Sequence, residues 1–455
     1  LHCNLEMGGD LRGPWRGSVQ EAPFGGHAGG EGGGRGAAAM LVLRPVTDMK
    51  CAIYIRTIKS AQGTERVSAN IALGLADRGH SVDFLLEVGD GWLVERLAEH
   101  PNINVINLGE VRGPLLLHRG LQLRVLLKNL LSSLPGGGGD SCSSRLLRMM
   151  THEDPPLLAL LRYIRGERPA SVMSFLNYQN LALLLVAPLA GTDTRYVVNV
   201  RNHITTSAKY GKSKWMRSVP RVMQRFFPRA DLILSPSQGV ADDVQEITGL
   251  PAARFRVIHN PVYRPEITQL AAEMPAHPWF EGDGPPVIIA AGKLKPQKDF
   301  DTLLRAFALV RAERPARLVI LGRGPGEQAL LDLAAELGIA GDFQLPGHVR
   351  NPYAFFSHAG LFVLSSAWEG LPNVLIEALS CGCPVVSTHC PSGPVEILDG
   401  GRVGRLVPVG DVQQMARAIL DTLDSPPDRA MLLERAQAFS FDRAISGYED
   451  ALQAP

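Results

Sequence analysis

An apolar run from Leu361 to Leu364, a polar turn, an apolar helical stretch and a second apolar run from Pro384 to Ser387 follow one another without interruption. Two short buried strands joined through a helix make a parallel crossover, so this chain is confined to layered α/β folds. The spacing predicts a helix from Asn373 to about Cys381, stopped by Gly382, with Pro372 in the first turn, where a residue lacking an N–H is tolerated. Glu369 then lies in the strand-to-helix loop, and Glu377 lies just over one turn into the helix. In an α/β sheet that loop sits at the carboxyl ends of the strands, where ligands bind. The free N–H groups of Leu371 to Val374 form an anion site there. A carboxylate on either side of an anion site suits a ligand with hydroxyls at both ends and phosphate between them. That describes a nucleotide sugar.

The rest of the chain repeats the unit. Strands are expected at Lys50 to Arg56, Ser81 to Glu87, Ile103 to Leu108, Ser171 to Phe175, Arg195 to Val200, Leu232 to Ser235 and Arg254 to His259, with helical patterns between them. A Pro-rich connection, residues 262–285, leads to a second series of strands near 287–291, 317–321, 343–345, 361–364, 384–387 and 405–407. The domains expected are 49–261, 286–440 and a terminal helix, 441–455. Residues 1–48 carry twelve glycines in the first forty positions and no hydrophobic period, which predicts a disordered extension. The chain begins with Leu1, and Met40 or Met49 is the expected natural start.

Composition removes several alternatives. A net charge of +1 excludes a globally basic nucleic-acid binder. The six scattered cysteines include only one close pair, Cys381 and Cys383, spaced too tightly for a C-x-x-C site, so all six are read as reduced cytosolic thiols. No apolar run reaches bilayer-spanning length. Two acid-free segments stand out. Val111 to Leu134 carries Arg112, Arg119, Arg124 and Lys128, and a Gly-rich link from Pro135 to Ser144 follows. Arg201 to Ala230 holds eight Lys/Arg, with Arg217, Arg221, Arg225 and Arg229 repeating every four residues. Such a face suits an anionic bilayer or a lipid pyrophosphate lying in it. A solvated face on a core helix is the alternative, and Pro220 argues against one uninterrupted helix.

The run Glu369-Gly370-Leu371-Pro372-Asn373-Val374-Leu375-Ile376-Glu377-Ala378-Leu379, followed by Cys390-Pro391-Ser392-Gly393-Pro394-Val395-Glu396-Ile397-Leu398, resembles the paired-glutamate motif of retaining glycosyltransferases of family 4. Gly292-Lys293-Leu294-Lys295-Pro296-Gln297-Lys298 resembles that family's donor-phosphate signature, with Lys293 in an arginine position and Lys298 in a lysine position. Lysine at 293 keeps the charge and loses the planar fork. Two fixed cations there would stabilise the charge that builds on a leaving diphosphate. Gln62-Gly63-Thr64-Glu65-Arg66 resembles the family's first loop with one of its paired glycines missing, and a structural glycine is the alternative at Gly63.

The resemblance implies the GT-B fold, two Rossmann-like doubly wound parallel-sheet domains facing a cleft. It implies that Glu377 accepts from the ribose hydroxyls, that Glu369 faces the sugar, and that the segment Gly370 to Asn373 holds the β-phosphate through the amides of Gly370, Leu371 and Asn373, with Pro372, which has no N–H, between them. Gly322 and His348 fall where family loops approach the base; at Gly322 a tight structural turn explains the glycine as well. His203, at a strand end, matches loosely a histidine that touches the transferred sugar, with a capping or packing role as the alternative. No Asp-x-Asp stands at a strand end, so no metal and no cofactor is expected, and lysines and helix dipoles would serve instead.

The function implied is retaining transfer from a UDP-sugar to a glycan or lipid-linked acceptor in bacterial polysaccharide or glycoconjugate synthesis, by a cytoplasmic protein peripheral to the inner face of the membrane. A UDP-sugar 2-epimerase of the same fold and a non-catalytic scaffold are the rival readings. The presence of Glu369, Glu377 and Lys298 together weighs against the scaffold.

Overall fold

The computed structural model describes residues 48–59, 63–89, 91–110, 155–211 and 213–453. The expectations for the Gly-rich N-terminal stretch, for Val111–Leu134 and for the Pro135–Ser144 link lie outside the described residues.

Each strand of the two sheets is short and nearly all buried, because apolar side chains alternate onto two helix-covered faces. The first sheet contains β1 (Lys50–Ile55), β2 (Ser81–Leu86), β3 (Ile103–Asn107), β4 (Ser171–Phe175), β5 (Arg195–Asn199), β6 (Leu232–Ser235) and β7 (Phe255–Val257). Its order is β3-β2-β1-β4-β5-β6-β7, all parallel. The second contains β8 (Val287–Ala291), β9 (Arg317–Leu321), β10 (Phe343–Gly347), β11 (Leu361–Leu364), β12 (Val385–Thr388) and β13 (Arg405–Val407), in the order β10-β9-β8-β11-β12-β13, again parallel. Both orders reverse direction once, between β1 and β4 and between β8 and β11. At such a reversal the crossovers leave to opposite sides, opening a crevice beyond the carboxyl ends of the two strands.

Four apolar clusters fill the faces of the two sheets. The last helix, Phe441–Gln453, buries Ile445, Tyr448, Ala451 and Leu452 in the cluster that also holds Ile53, Val67, Ile71 and Phe84 of the first domain. It lies against the Gly63–Asp77 helix at Gly74, where any Cβ would press on Ile445 and Phe441. The chain therefore crosses between the domains a second time, and Tyr263 and Phe439–Phe441 bind the two crossings by main-chain hydrogen bonds.

Three local expectations are corrected. Pro372 is the N-cap of the Asn373–Ser380 helix, in extended conformation, rather than part of its first turn. Pro220 does not divide its segment: one helix runs Lys214–Phe226, anchored by buried Val219, Val222, Met223 and Phe226. That anchoring outweighs one lost main-chain bond. The 262–285 connection is also built into the second domain, because Ile267 of the short Ile267–Ala271 helix, with Trp279 and Phe280, joins a core cluster there.

Candidate active site

The loops leaving β8 and β11, the two strands at the reversal of the second sheet, meet and are stitched together. The Ala367 amide donates to the Gln297 carbonyl at 2.9 Å, and Gln297 Nε2 donates to the Trp368 carbonyl at 2.7 Å. Ser365 Oγ donates to the Lys298 carbonyl at 2.7 Å. These bonds place Lys298 Nζ 2.7 Å from Glu369 Oε1, which also accepts from Ser366 Oγ at 2.7 Å. Glu369 is 7% exposed, so this is a charge pair largely out of water with its hydrogen bonds made. Gly292, at φ 156°, lets the Lys298 stem cross its backbone, since a Cβ there would lie 2.8 Å from Lys298 Cε.

The next peptides carry the anion site. The Glu369 carbonyl accepts from the His203 amide at 3.3 Å and from Ser392 Oγ at 2.7 Å. The Gly370 carbonyl accepts from Ser237 Oγ at 2.9 Å. In a trans peptide the C=O and N–H point opposite ways. Turning these two carbonyls into the protein therefore turns the amides of Gly370 and Leu371 outward, and among the described residues neither meets a main-chain acceptor. The first turn of the Asn373–Ser380 helix adds its own unpaired amides and the positive end of its dipole. Gly370 is required for close approach: a Cβ there would overlap the carbonyl oxygen of Arg201.

Glu377, on that helix, is 6% exposed, and its only ion pair among the described residues is a 3.8 Å contact with Arg66 from the first domain. Burial raises its pKa and the Arg66 charge pulls it back. Glu377 is thus no solvated helix carboxylate; it lines the seam between the domains.

The remaining candidates divide. His203 caps the Ile204–Tyr210 helix through Nδ1, which faces the Thr206 amide at 3.4 Å and Asp243 at 3.4 Å. Its main chain holds Glu369, so the capping role is occupied and the residue still belongs to the site. Lys293 is exposed and makes no ion pair among the described residues. Gly63 opens the Gly63–Asp77 helix, and a Cβ there would meet nothing within 4 Å among the described residues, so their packing does not explain that glycine. Gly322 is explained by packing, because a Cβ there would overlap the Gly292 carbonyl. Its amide donates to the Gly347 carbonyl at 2.8 Å, joining three strand ends, while the His348 side chain is exposed.

Sequence reasoning gave no role to Ser366, Ser392, Ser237, Arg66 or Lys295. Desolvation, and next the charge of Lys298, lowers the pKa of Lys295 and marks it as part of the same cationic edge. Lys295, Ser392 and Arg66 lie inside the motifs already singled out and Ser366 just before one; the partners of Ser237, Ser392 and Arg66 are distant in sequence and left no local signal.

Two doubly wound parallel sheets, with outward-facing amides and a lysine–glutamate pair at the switch point of the second, are the architecture of a GT-B glycosyltransferase. Residues 277–439 match the family model "Glycosyl transferases group 1", and residues 62–261 match "Glycosyl transferase 4-like domain". The chain belongs to the group 1 glycosyltransferases. It is 31% identical over 282 residues, 61% of this chain and 74% of the relative, to the N-acetylgalactosamine-N,N'-diacetylbacillosaminyl-diphospho-undecaprenol 4-alpha-N-acetylgalactosaminyltransferase of Campylobacter jejuni. It is 30% identical over 213 residues, 46% of this chain and 59% of the relative, to the lipopolysaccharide core biosynthesis glycosyltransferase LpsE of Rhizobium meliloti. The Anabaena HepE crystal structure in complex with UDP shares the fold, with a TM-score of 0.64, 18% identity, and coverage of 89% of this chain and 99% of that one.

Proposed function

We propose that this enzyme transfers a sugar, with retention and without a metal, from a UDP-sugar to a glycan carried on a lipid diphosphate. The observation that carries the reading is the Lys298–Glu369 pair set beside the outward amides of Gly370 and Leu371. The diphosphate would take those amides, the helix N-terminus and Lys298, while Glu377 would accept from the ribose hydroxyls and release Arg66. Gly63, free of packing demands, would let the first-domain backbone approach the sugar. Glu369, held through Oε1, orients Lys298 and leaves Oε2 for a sugar hydroxyl.

The acceptor hydroxyl then attacks C1 from the leaving-group face. The C1–O bond breaks with its electron pair going to the β-phosphate oxygen, which also takes the acceptor's proton. Lys298 and the fixed dipoles stabilise the charge on that oxygen. The lipid diphosphate acceptor is supported by what the Campylobacter relative is named for, and UDP by what the Anabaena fold neighbour binds. The metal-free reading is supported by Lys298, whose ammonium, held by Glu369 at 2.7 Å, would meet the charge of the leaving diphosphate. Incubation with a panel of UDP-sugars and a polyprenyl-diphosphate glycan is expected to give α-linked product from an α-linked donor, at an unchanged rate in excess EDTA. Inverted product, or activity lost to EDTA and restored by magnesium or manganese, would overturn this mechanism.

No helix among the described residues is long and apolar enough to cross a membrane. A peripheral approach is supported by the Lys214–Phe226 helix, which turns Arg217, Arg221 and Arg225 outward along one face. Arg229 leaves that set. It is half-buried, lies over the Phe226 ring at 5.0 Å and donates to the Leu184 carbonyl at 3.2 Å. Each exposed arginine contributes roughly 1 kcal/mol at an anionic surface and less as salt screens it. Reversing Arg217, Arg221 and Arg225 to Glu is therefore expected to abolish sedimentation with anionic vesicles and to spare UDP binding. If the wild-type protein ignores anionic vesicles even at low salt, the face is solvated surface and a soluble acceptor becomes the better reading.

A further inference from the structure

Arg201, just past the end of β5, is buried and has no carboxylate within ion-pair distance among the described residues. Its guanidinium is held by neutral groups: Nη1 donates to Asn199 Oδ1 at 3.2 Å and to the Tyr448 hydroxyl at 3.4 Å, and Nη2 donates to Asn260 Oδ1. Its guanidinium carbon Cζ lies 6.0 Å from the Phe175 ring centroid. A charge buried without a counter-ion is strongly destabilising, which is why buried arginines are nearly always paired. Burial lowers the pKa of this guanidinium, partly offset by Tyr448, yet an arginine stays charged at neutral pH.

The position of this unpaired charge is specific. Asn260, which accepts from Arg201, donates through Nδ2 to Asn373 Oδ1, and Asn373 is the first residue of the helix that carries the anion site. The Arg201 carbonyl is the atom that a Cβ on Gly370 would overlap. Arg201 therefore backs the diphosphate loop from the first domain, through its main chain at Gly370 and through one asparagine at Asn373. Its remaining partner, Tyr448, belongs to the last helix, so three parts of the chain converge on one cation.

We propose that Arg201 is a positioning residue whose buried charge is matched only when a diphosphate occupies the Gly370–Asn373 loop. The idea rests on the donor reading above. The missing counter-ion is the ligand, and the protein tolerates the unmatched charge in its empty state because the charge adds to diphosphate affinity in the filled one. A merely structural arginine would support all ligands of the site alike, whereas this one discriminates by phosphate charge.

Isothermal titration with UDP, UMP and uridine on the full chain separates these roles. Arg201→Gln is expected to weaken UDP at least tenfold, UMP less, and uridine under twofold. Asn260→Asp is the companion variant. It keeps the guanidinium in place, sets a carboxylate against it and cancels its charge, with the Asn373 side-chain amide turning to donate in place of the lost Asn260 Nδ2 bond, so it should reproduce the UDP loss while leaving the ligand-free melting temperature equal or higher. Arg201→Lys should recover part of the UDP affinity. Equal losses for UDP and uridine, or no loss in Asn260→Asp, would overturn the inference and leave the donor reading standing. If the wild-type protein binds no nucleoside diphosphate from a panel of UDP, GDP and ADP, the donor reading fails and this inference fails with it.

Discussion

Replacing Lys298 with alanine is expected to lower kcat/KM by roughly 30- to 1,000-fold, the equivalent of about 2–4 kcal/mol for one charge-stabilising group lost from the transition state. The loss should fall mainly on kcat, because charge on the leaving diphosphate grows as the glycosidic bond breaks. Removing the ammonium also leaves Glu369 Oε1 buried with Ser366 Oγ as its one remaining side-chain donor among the described residues, so the loop loses part of its anchorage. Glu377→Ala should act differently. It would remove the proposed charged hydrogen bond to the nucleotide, at about 1.5–3 kcal/mol, and should appear chiefly in donor KM. Steady-state kinetics with circular dichroism to confirm folding makes the comparison. Wild-type turnover in Lys298→Ala would remove that lysine from the chemistry.

The second large effect is expected at Gly370. A Cβ there would overlap the Arg201 carbonyl, which is main chain and cannot swing aside. Gly370→Ala must therefore push the diphosphate loop away from the first domain, loosening the His203 amide–Glu369 carbonyl and Ser237–Gly370 bonds together. Overpacking of this kind costs about 1–3 kcal/mol. The expected result is a melting temperature lower by several degrees and activity reduced far more than stability, since the displaced amides are those proposed to hold the diphosphate. Gly63→Ala is the contrast. Nothing lies within 4 Å of a Cβ there, so thermal stability should hold within about 0.5 kcal/mol while donor or acceptor affinity falls. A Gly370→Ala protein with full activity and unchanged melting temperature would show that the two domains do not meet closely at this loop.

What the sequence determined by itself is local in origin. Runs such as Val287–Ala291 and Leu361–Leu364 are apolar throughout because both sheet faces are covered, so strand identity, parallel pairing and the α/β class follow from short windows. Glu369, Gly370, Asn373 and Glu377 fall in one strand–loop–helix unit, and their relation is set within a few residues of chain. The packing of the 262–285 connection onto the second domain and the continuity of the helix through Pro220 are not legible locally, because breaker signals are outweighed by burial of Ile267, Trp279 and Phe226 against distant partners.

Only the tertiary structure decided which charges meet. Lys298 reaches Glu369 across 71 residues, Arg66 reaches Glu377 from the other domain, and Arg201 meets no counter-ion among the described residues. Lys298 and Lys293 look alike as lysines in one loop, yet one is paired at 2.7 Å and the other stands in solvent. The reason is physical. Hydrophobic period is a property of neighbouring residues, whereas the energy of a charge depends on which groups and how much water surround it, and only the packed chain sets those.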